Sequence, residues 1–282
     1  MMRKAILVAF VGAASLLPVF SHALAANVTA HSALAASMTA HSGDVSATFS
    51  FTGKQVPYRN LRLTISRAGQ VLYSEPVTSK ACSPYCRPAP TGPHRPSLSV
   101  LDLESNGQPD VVLDLFSGGA HCCFIDQVFS YDPGTMTYTK TEQDFENSGA
   151  ALERLGGRYV FVSANNAFYY EFASFAFSGA PIQIFSFSNR HFLDVTRSYP
   201  SLIKSDAAVW WKAFTRHYGQ GEGFIAPWAA DECLLGNVQL VNTRLQTELR
   251  ENHLHGGLPG VPSAGKFIAA LKMFLIKQGY LH

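Results

Sequence analysis

The sequence predicts an α+β protein, in which an antiparallel β-rich body is followed by a C-terminal helical cap. Between residues 45 and 200, short runs of alternating apolar and polar residues are separated by Gly, Pro, Asn and Asp, a pattern typical of half-buried strands. After Pro200, apolar residues recur at three- and four-residue steps, as in amphipathic helices. We expect two or three propeller-blade-like β units over 45–200, as an incomplete propeller or stacked sheets, and helices over 201–282.

The first 25 residues predict a signal peptide. Arg3 and Lys4 precede the apolar run Ala5–Phe20, and Ala23-Leu24-Ala25 supplies the small residues that a signal peptidase recognises. The apolar run is short for a membrane anchor, and no later stretch reaches the roughly 20 apolar residues of a span. We expect cleavage after Ala25, a secreted or periplasmic mature protein without a transmembrane segment, and a flexible mature N-terminus over 26–44.

Charge and composition argue against a nucleic-acid-binding protein. The chain has 22 Lys and Arg and 20 Asp and Glu residues, and removal of the signal peptide takes away two basic residues and no acidic one. The mature net charge is then near zero, without the Lys/Arg cluster that a nucleic-acid surface needs. The apolar fraction of 47% and the charged fraction of 15% predict a globular body with a sizeable core.

The individual elements follow from local patterns. A hairpin is predicted where Ala68-Gly69-Gln70 separates two alternating runs, and further strands follow over 97–103, 110–116, 123–131, 135–141, 159–162, 181–187 and 192–196. Ser205 is the predicted cap of the first helix. Two more amphipathic helices are predicted, one over Leu234, Val238, Val241, Leu245 and Leu249 and one over Phe267, Ile268, Leu271, Phe274 and Leu275.

The five cysteines of this exported chain predict disulfide bonds. Cys82 and Cys86 lie in a proline-rich loop, and Cys122 and Cys123 are adjacent. Because a bond between neighbouring residues closes a small, strained ring, we expect two bridges that tie the first pair to the second. Cys233 is then a buried free thiol on a helix.

A different chemistry is open to the same cysteines. His121 with Cys122, Cys123, Cys82 and Cys86 offers the imidazole and thiolate ligands that zinc or copper prefers, although the exported compartment favours disulfides. A nucleophilic cysteine with His121 as its base is disfavoured, because adjacent residues on a strand point to opposite faces.

An acidic loop before the strand at 110–116 predicts a calcium site. Its oxygen-bearing side chains occupy the first, third, fifth and ninth positions, Gly107 occupies the sixth, where the backbone must turn, and Gln108 at the seventh can offer its backbone carbonyl. Calcium takes six to eight oxygen ligands, and this spacing arranges them around one point. The alternative is a solvated turn in which Asp and Asn serve turn chemistry. The predicted Ca²⁺ ligands are Asp102, Glu104, Asn106, Gln108 and Asp110.

The segment from Val100 to Leu115 resembles the calcium loops of integrin-type FG-GAP and VCBS repeats, in which an Asp-x-Asp-x-Asn/Asp-Gly-x-x-Asp loop runs into an apolar strand. Glu104 departs from the usual Asp at the third position. The larger region, with Gly118-Gly119-Ala120-His121-Cys122-Cys123, is similar to a group of exported bacterial proteins that brings no known activity. The resemblance implies a β-rich body with one calcium ion.

Aromatic and histidine clusters complete the candidates. Phe168, Phe172 and Phe175 are predicted to belong to the core, with a sugar-stacking platform as the alternative. One tryptophan of the Trp210-Trp211 pair is expected to face outward on its helix and to mark a contact surface. His253 and His255 offer two imidazoles for a metal, but histidines of a linker are usually just solvated.

These observations lead to a functional prediction. The chain lacks a nucleophile elbow, a phosphate loop, a zinc-protease helix and a dinucleotide fingerprint, which favours a protein that is not an enzyme. We predict an exported calcium-binding protein that binds or adheres to an unknown protein or glycan. The alternatives are an extracellular or envelope hydrolase that uses carboxylates the sequence does not identify, and a structural envelope protein.

Overall fold

The computed structural model describes residues 27–29, 35–53, 58–82, 86–89, 96–255 and 263–282. Within these residues, three antiparallel sheets of five, five and four strands are followed by four helices at the C-terminal end. The predicted α+β fold class is therefore confirmed. The predicted signal peptide, residues 1–25, lies outside the described residues.

The first sheet is a meander whose strands pair in sequence order. Residues 35–42 form one of its strands although the sequence predicts a flexible terminus there, and all eight pair with the following strand. The side chains of this strand are small, so its alternation is weak, yet Ala40 is buried and the hydroxyls of Thr39 and Thr48 lie 3.1 Å apart. The strands are β1 (Asn27–Thr29), β2 (Ala35–Ser42), β3 (Val45–Thr52), β4 (Arg59–Arg67) and β5 (Gln70–Pro76).

The second sheet contains the strand that leaves the acidic loop. Its path runs β10-β9-β8-β6, with β7 also paired to β8. Leu113 and Phe129 pack against Phe49 and Leu63 of the first sheet, so these two sheets share a hydrophobic core. The strands are β6 (Arg87–Pro88), β7 (Leu98–Leu101), β8 (Asp110–Phe116), β9 (Phe124–Asp132) and β10 (Thr137–Asp144).

The third sheet packs against the other face of the second. Phe161 and Phe187 contact Val112 and Val128, which leave β8 and β9 on the side opposite the first core. The sheets are therefore stacked, which is one of the two arrangements that the sequence predicts. The strands, in pairing order, are β11 (Ala151–Leu155), β12 (Arg158–Ala164), β13 (Ile182–Ser188) and β14 (His191–Asp194).

Four helices form the C-terminal part around their own hydrophobic cluster. The first begins at Pro200, not at Ser205, because proline is favoured at the first helical position. The sequence predicts a helix at Cys233 but gives no bounds for the second helix, since that helix is apolar on nearly every side and shows no period. The helices are α1 (Pro200–Arg216), α2 (Glu222–Leu234), α3 (Val238–Arg250) and α4 (Ala264–Lys277).

The expectation that the two cysteine pairs are bridged to each other is wrong. Cys82 is bonded to Cys86, whose Cα atom lies 4.8 Å away, a separation within the usual range for a disulfide. Cys122 is bonded to Cys123. Both pairs contribute to the core between the first two sheets without a bond between them. Cys233 is a buried free thiol on α2, as predicted, and burial raises its pKa to about 11.

The tryptophan prediction is also wrong, because neither Trp210 nor Trp211 faces fully outward. The Trp210 indole donates to Asp206 at 2.9 Å, and its ring stacks on Phe224. The Trp211 ring packs on Trp228. The crossing of α1 with α2 thus covers both rings.

Candidate functional site

The acidic loop joins β7 to β8, and its side chains tie the loop to itself. The Asp102 carboxylate accepts hydrogen bonds from the amides of Asn106 at 3.0 Å and Gly107 at 2.9 Å. The Asn106 side-chain oxygen accepts from the amide of Gln108 at 2.8 Å. Ser105 and Gly107 have positive φ angles of 55° and 79°, which fold the chain around Asp102. These contacts are those of a side-chain-capped turn.

Asp110 lies at the first position of β8 and is only 4% exposed. Its carboxyl accepts a hydrogen bond from the Leu103 amide at 3.3 Å. Burial raises the pKa of Asp110 to about 7, and the negative charges of Glu104 and Asp102 act in the same direction. The buried Asp110 carboxyl thus connects the end of the loop to its start, through the hydrogen bond from Leu103.

Among the predicted calcium ligands, the three carboxylates of Asp102, Glu104 and Asp110 do not gather within 4.8 Å of one another. Gln108 Oε1 accepts a hydrogen bond from Arg67 Nη1 at 2.7 Å, so a positive charge lies beside the loop. Across the described residues, three or more Asp, Glu, His or Cys residues bring their ligand atoms within 4.8 Å of one another only at Glu248, Glu251 and His253, outside this loop. Each Asp102 carboxylate oxygen accepts one backbone amide, and calcium would have to share these oxygens with the hydrogen bonds. The calcium site stays a prediction.

A cleft of about 420 Å³ separates the acidic loop from the third sheet. One wall is Glu104, and the other is built by residues from three places in the chain. The start of β12, the end of β13 and the residue before α1 meet here because the third sheet packs against the second. The polar groups and rings that line the cleft include Glu104, Arg158, Tyr159, Ser186, Ser188 and Tyr199.

The cleft carries one charge of each sign. Glu104 and Arg158 both line it, and they form no ion pair with each other, so both remain available to a ligand. Among the described residues, the Glu104 carboxylate accepts two long hydrogen bonds, from the Arg190 amide at 3.5 Å and the Asn106 side-chain amide at 3.4 Å. Serine hydroxyls and tyrosine rings add hydrogen-bonding groups and flat apolar faces.

The cysteine motif lies at the opposite end of β8. That strand has seven residues, which at about 3.3 Å per residue separates its two ends by about 20 Å. The Ser117 hydroxyl accepts a hydrogen bond from the Cys123 amide and closes the loop between β8 and β9. His121 is exposed, and its ring packs on Phe175 at 4.2 Å. Because both neighbouring cysteines are bonded, no thiolate is available here for a metal or a nucleophile.

The aromatic segment divides into a buried half and a surface half. Phe168 and Phe172 belong to the helical core, as predicted, and pack on Phe274 at 4.8 and 5.3 Å. Phe175, which the sequence also assigns to the core, instead joins Tyr170 at 5.6 Å near the surface. The reason is that short 3₁₀ turns replace the helix that the spacing suggests. Tyr170 is 60% exposed at a φ of 65°, an unusual backbone conformation for a large side chain.

The sequence patterns give no sign of the cleft. Glu104 is predicted as a metal ligand, but Arg158, Tyr159, Ser186 and Tyr199 belong to no predicted site, although Tyr199 lies in the segment Asp194–Pro200 that resembles the exported bacterial group. One sequence feature bears on the cleft. The second predicted β unit has Leu155-Gly156-Gly157-Arg158 at the place where an ion-binding repeat would have carboxylates. Arg158 therefore places a basic side chain across the cleft from the acidic Glu104.

Comparison with known proteins gives one partial likeness. Over 150 residues the chain is 29% identical to a probable thylakoid lumen protein of Synechocystis sp. (strain ATCC 27184 / PCC 6803 / Kazusa). The match covers 50% of this chain and 44% of that protein, so the chain spans less than half of the relative's length. No family model and no solved structure matches the chain. The FG-GAP and VCBS resemblance therefore stays a prediction.

The comparison bears on location alone. The relative's name places that protein in the thylakoid lumen, a compartment outside the cytosol. In the part of the chain that the structure describes, no helix is long and apolar enough to cross a membrane.

Proposed function

We propose that this protein is an exported binding protein whose cleft between the acidic loop and the third sheet takes a glycan. The observation that carries the proposal is the lining of the cleft, in which Glu104 and Arg158 are not paired with each other and serine hydroxyls and tyrosine rings lie nearby. Sugars present many hydroxyl groups, which both charged side chains bind, and flat C–H faces, which pack on aromatic rings. Its volume of about 420 Å³ lies in the range of small-ligand sites.

Binding is favoured over hydrolysis at this cleft. Most glycoside hydrolases place two carboxyl groups on either side of the bond that they cleave. Among the described residues that line the cleft, Glu104 is the one carboxylate. The likeness to a lumen protein and the predicted signal peptide support action outside the cytosol. The calcium ion is a separate proposal, because the cleft as folded does not depend on it.

A glycan array probed with the mature protein tests the proposal, followed by titration of the strongest ligand. We expect Arg158→Ala to weaken binding by at least about tenfold, because a hydrogen bond to a charged group contributes roughly 1.5–3 kcal/mol. Glu104→Gln should weaken it to a smaller extent, because the amide keeps one acceptor. Both side chains are at least partly exposed, so neither change disturbs the core.

Arg59→Ala is the matched control. Arg59 is an exposed arginine on β4 of the first sheet, outside the cleft, and its loss should leave binding unchanged. No glycan bound on the array, or equal affinity in the Arg158 and Arg59 variants, would reject the cleft as the site.

A further inference from the structure

The end of α3 gathers a histidine and two glutamates in one place. After Arg250 the chain turns through Asn252, whose φ is 57°, and the His253 amide bonds back to the Glu248 carbonyl at 2.9 Å. This turn folds the imidazole over the last helical turn. His253 Nδ1 then lies 2.7 Å from Glu248 Oε2 and 3.5 Å from Glu251 Oε2, and one ligand atom from each of the three residues lies within 4.8 Å of the others.

The loop between α1 and α2 holds the imidazole in this position. The Tyr218 ring stacks on the His253 ring at 3.7 Å with an angle of 6° between their planes. The Gly219 amide donates to the His253 carbonyl at 2.8 Å. Gly219 has a φ of +87°, and a Cβ atom there would meet the His255 ring at 2.7 Å, so this contact requires glycine. A side chain fixed in this way loses little entropy on binding an ion.

The charges of the cluster also favour a cation. Glu248 is only 2% exposed, and among the described residues it forms one ion pair besides His253, with Arg244, whose Nη1 lies 3.8 Å from Glu248 Oε1. Glu251 adds a second carboxylate on the exposed side. A protonated His253 would pair with one carboxylate, as in an ordinary ion pair at a helix C-terminus. A divalent cation would instead neutralise both carboxylates, and it would enter the cluster from solvent on the exposed side, at Glu251.

We propose that Glu248, Glu251 and His253 form a binding site for a divalent transition metal of the zinc type. One imidazole nitrogen and two carboxylate oxygens are a ligand set that suits zinc, with a fourth position left for water. Zinc holds such ligands at about 2.0–2.2 Å, which places ligand atoms about 3.3–3.6 Å apart. The Nδ1–Glu251 distance of 3.5 Å already has this value. The distance of 2.7 Å between His253 Nδ1 and Glu248 Oε2 has to lengthen by less than about 1 Å to reach this value when zinc binds between the two atoms.

The test is calorimetric titration of the chelator-treated mature protein with Zn²⁺, with Ca²⁺ and Mg²⁺ as separate arms. Co²⁺ absorption serves as a direct readout of coordination. We expect one equivalent of zinc, and a loss of affinity of at least about tenfold in Glu251→Gln and in His253→Gln, since even an outer-shell change costs about 10- to 100-fold. Glu251 is exposed, so its variant keeps the fold even where a Glu248 variant does not.

His255→Ala is the control for a neighbouring imidazole outside the cluster, and Asp102→Ala separates this site from the acidic loop. Both should bind zinc like the unchanged protein. No zinc binding at millimolar metal would overturn the proposal, as would equal affinity in the His253 and His255 variants. Binding of Ca²⁺ or Mg²⁺ in place of zinc that persists in Asp102→Ala and is lost in Glu251→Gln would overturn the assigned class of metal.

Discussion

At the scale of single residues, the acidic loop is organised by Asp102. Both of its carboxylate oxygens accept backbone amides, and Asn106 repeats this role one step further on. Gln108 is held by Arg67, which also pairs with Asp44 at 2.9 Å. The side-chain oxygens of Asp102 and Asn106, which a cation would use, therefore already accept hydrogen bonds. An ion entering this loop competes with existing hydrogen bonds.

We therefore expect weak calcium binding by the mature protein, in the range of about 10⁻⁴ to 10⁻³ M that is typical of extracellular modules. Asp102→Ala should abolish it. Asp132→Ala is the control, because Asp132 also caps a turn by accepting the Gly134 amide at 2.9 Å but belongs to no predicted ion site. Calorimetry measures both, and no heat at millimolar calcium ends the calcium prediction.

At the scale of elements, a carboxyl pair joins α1, α2 and the third sheet. Asp206 on α1 accepts hydrogen bonds from the Ile182 amide of β13 and from the Trp210 indole, both at 2.9 Å. Asp231 on α2 lies beside it and is 0% exposed. Burial, followed by the charge of Asp206, raises the pKa of Asp231 to about 10. The folded protein therefore keeps Asp231 protonated at neutral pH.

The sign of the pH effect follows from this raised pKa. Because the folded state holds a proton that the unfolded chain releases near pH 4, the stabilisation is complete below about pH 4 and is lost as the pH rises towards about 10. Asp231→Asn cannot ionise. We expect its free energy of unfolding to fall less between about pH 5 and about pH 9 than that of the unchanged protein.

Urea unfolding at a series of pH values measures this difference. Glu171→Gln is the control, because Glu171 is an exposed carboxylate outside the pair and its loss should leave the pH profile as it is. Parallel profiles for Asp231→Asn and the unchanged protein would show that Asp231 does not control this pH dependence.

The sequence predicts elements well where their periods are plain. The alternation in β3, β4 and the strands flanking the acidic loop gives their places, and the last two helices follow from their apolar steps. By contrast, α2 is buried and apolar on nearly every side, so its sequence lacks the three- and four-residue apolar period by which a helix is predicted. β2 escapes prediction for another reason, since Ala, Ser and Thr give little contrast between its faces.

The candidate sites are less predictable than the strands, because they join distant parts of the chain. Glu104 and Tyr199 meet only after the third sheet stacks on the second. The cysteine pairing likewise depends on turns that spacing does not specify. His253 was visible as a candidate beside His255, yet its ligand partners are Glu248 and Glu251, which become neighbours through the turn at Asn252.

At the scale of the whole molecule, three hydrophobic clusters hold the described residues together. One lies between the first and second sheets, one between the second and third, and one among the helices. Strand β8 supplies Leu113 to the first cluster and Val112 to the second. The middle sheet is therefore buried on both faces along this strand.

The cluster between the second and third sheets is the smallest, and Phe161 is its fully buried ring. We expect Phe161→Ala to lower the free energy of unfolding by about 3–5 kcal/mol, through lost apolar contact and the cavity left behind. Leu193→Ala is the control, because Leu193 is a half-exposed residue of the same sheet and should change stability by less than about 0.5 kcal/mol.

Urea unfolding followed by circular dichroism, which reports on the sheets, measures both variants. Tryptophan fluorescence adds a second signal, since all three tryptophans lie on α1 and α2. A Phe161 variant no less stable than the Leu193 variant would mean that the third sheet does not depend on this ring.

The two-sided burial of β8 has a consequence for protease resistance. The acidic loop leads directly into β8, and Glu104 of that loop lines the cleft. A ligand that binds only the folded cleft stabilises the folded state by mass action. Because β8 contributes to both hydrophobic clusters, any opening that displaces this strand disrupts both layers and the adjoining cleft. Ligand binding at the rim of the molecule should therefore slow cleavage throughout the β body, including segments far from the bound ligand.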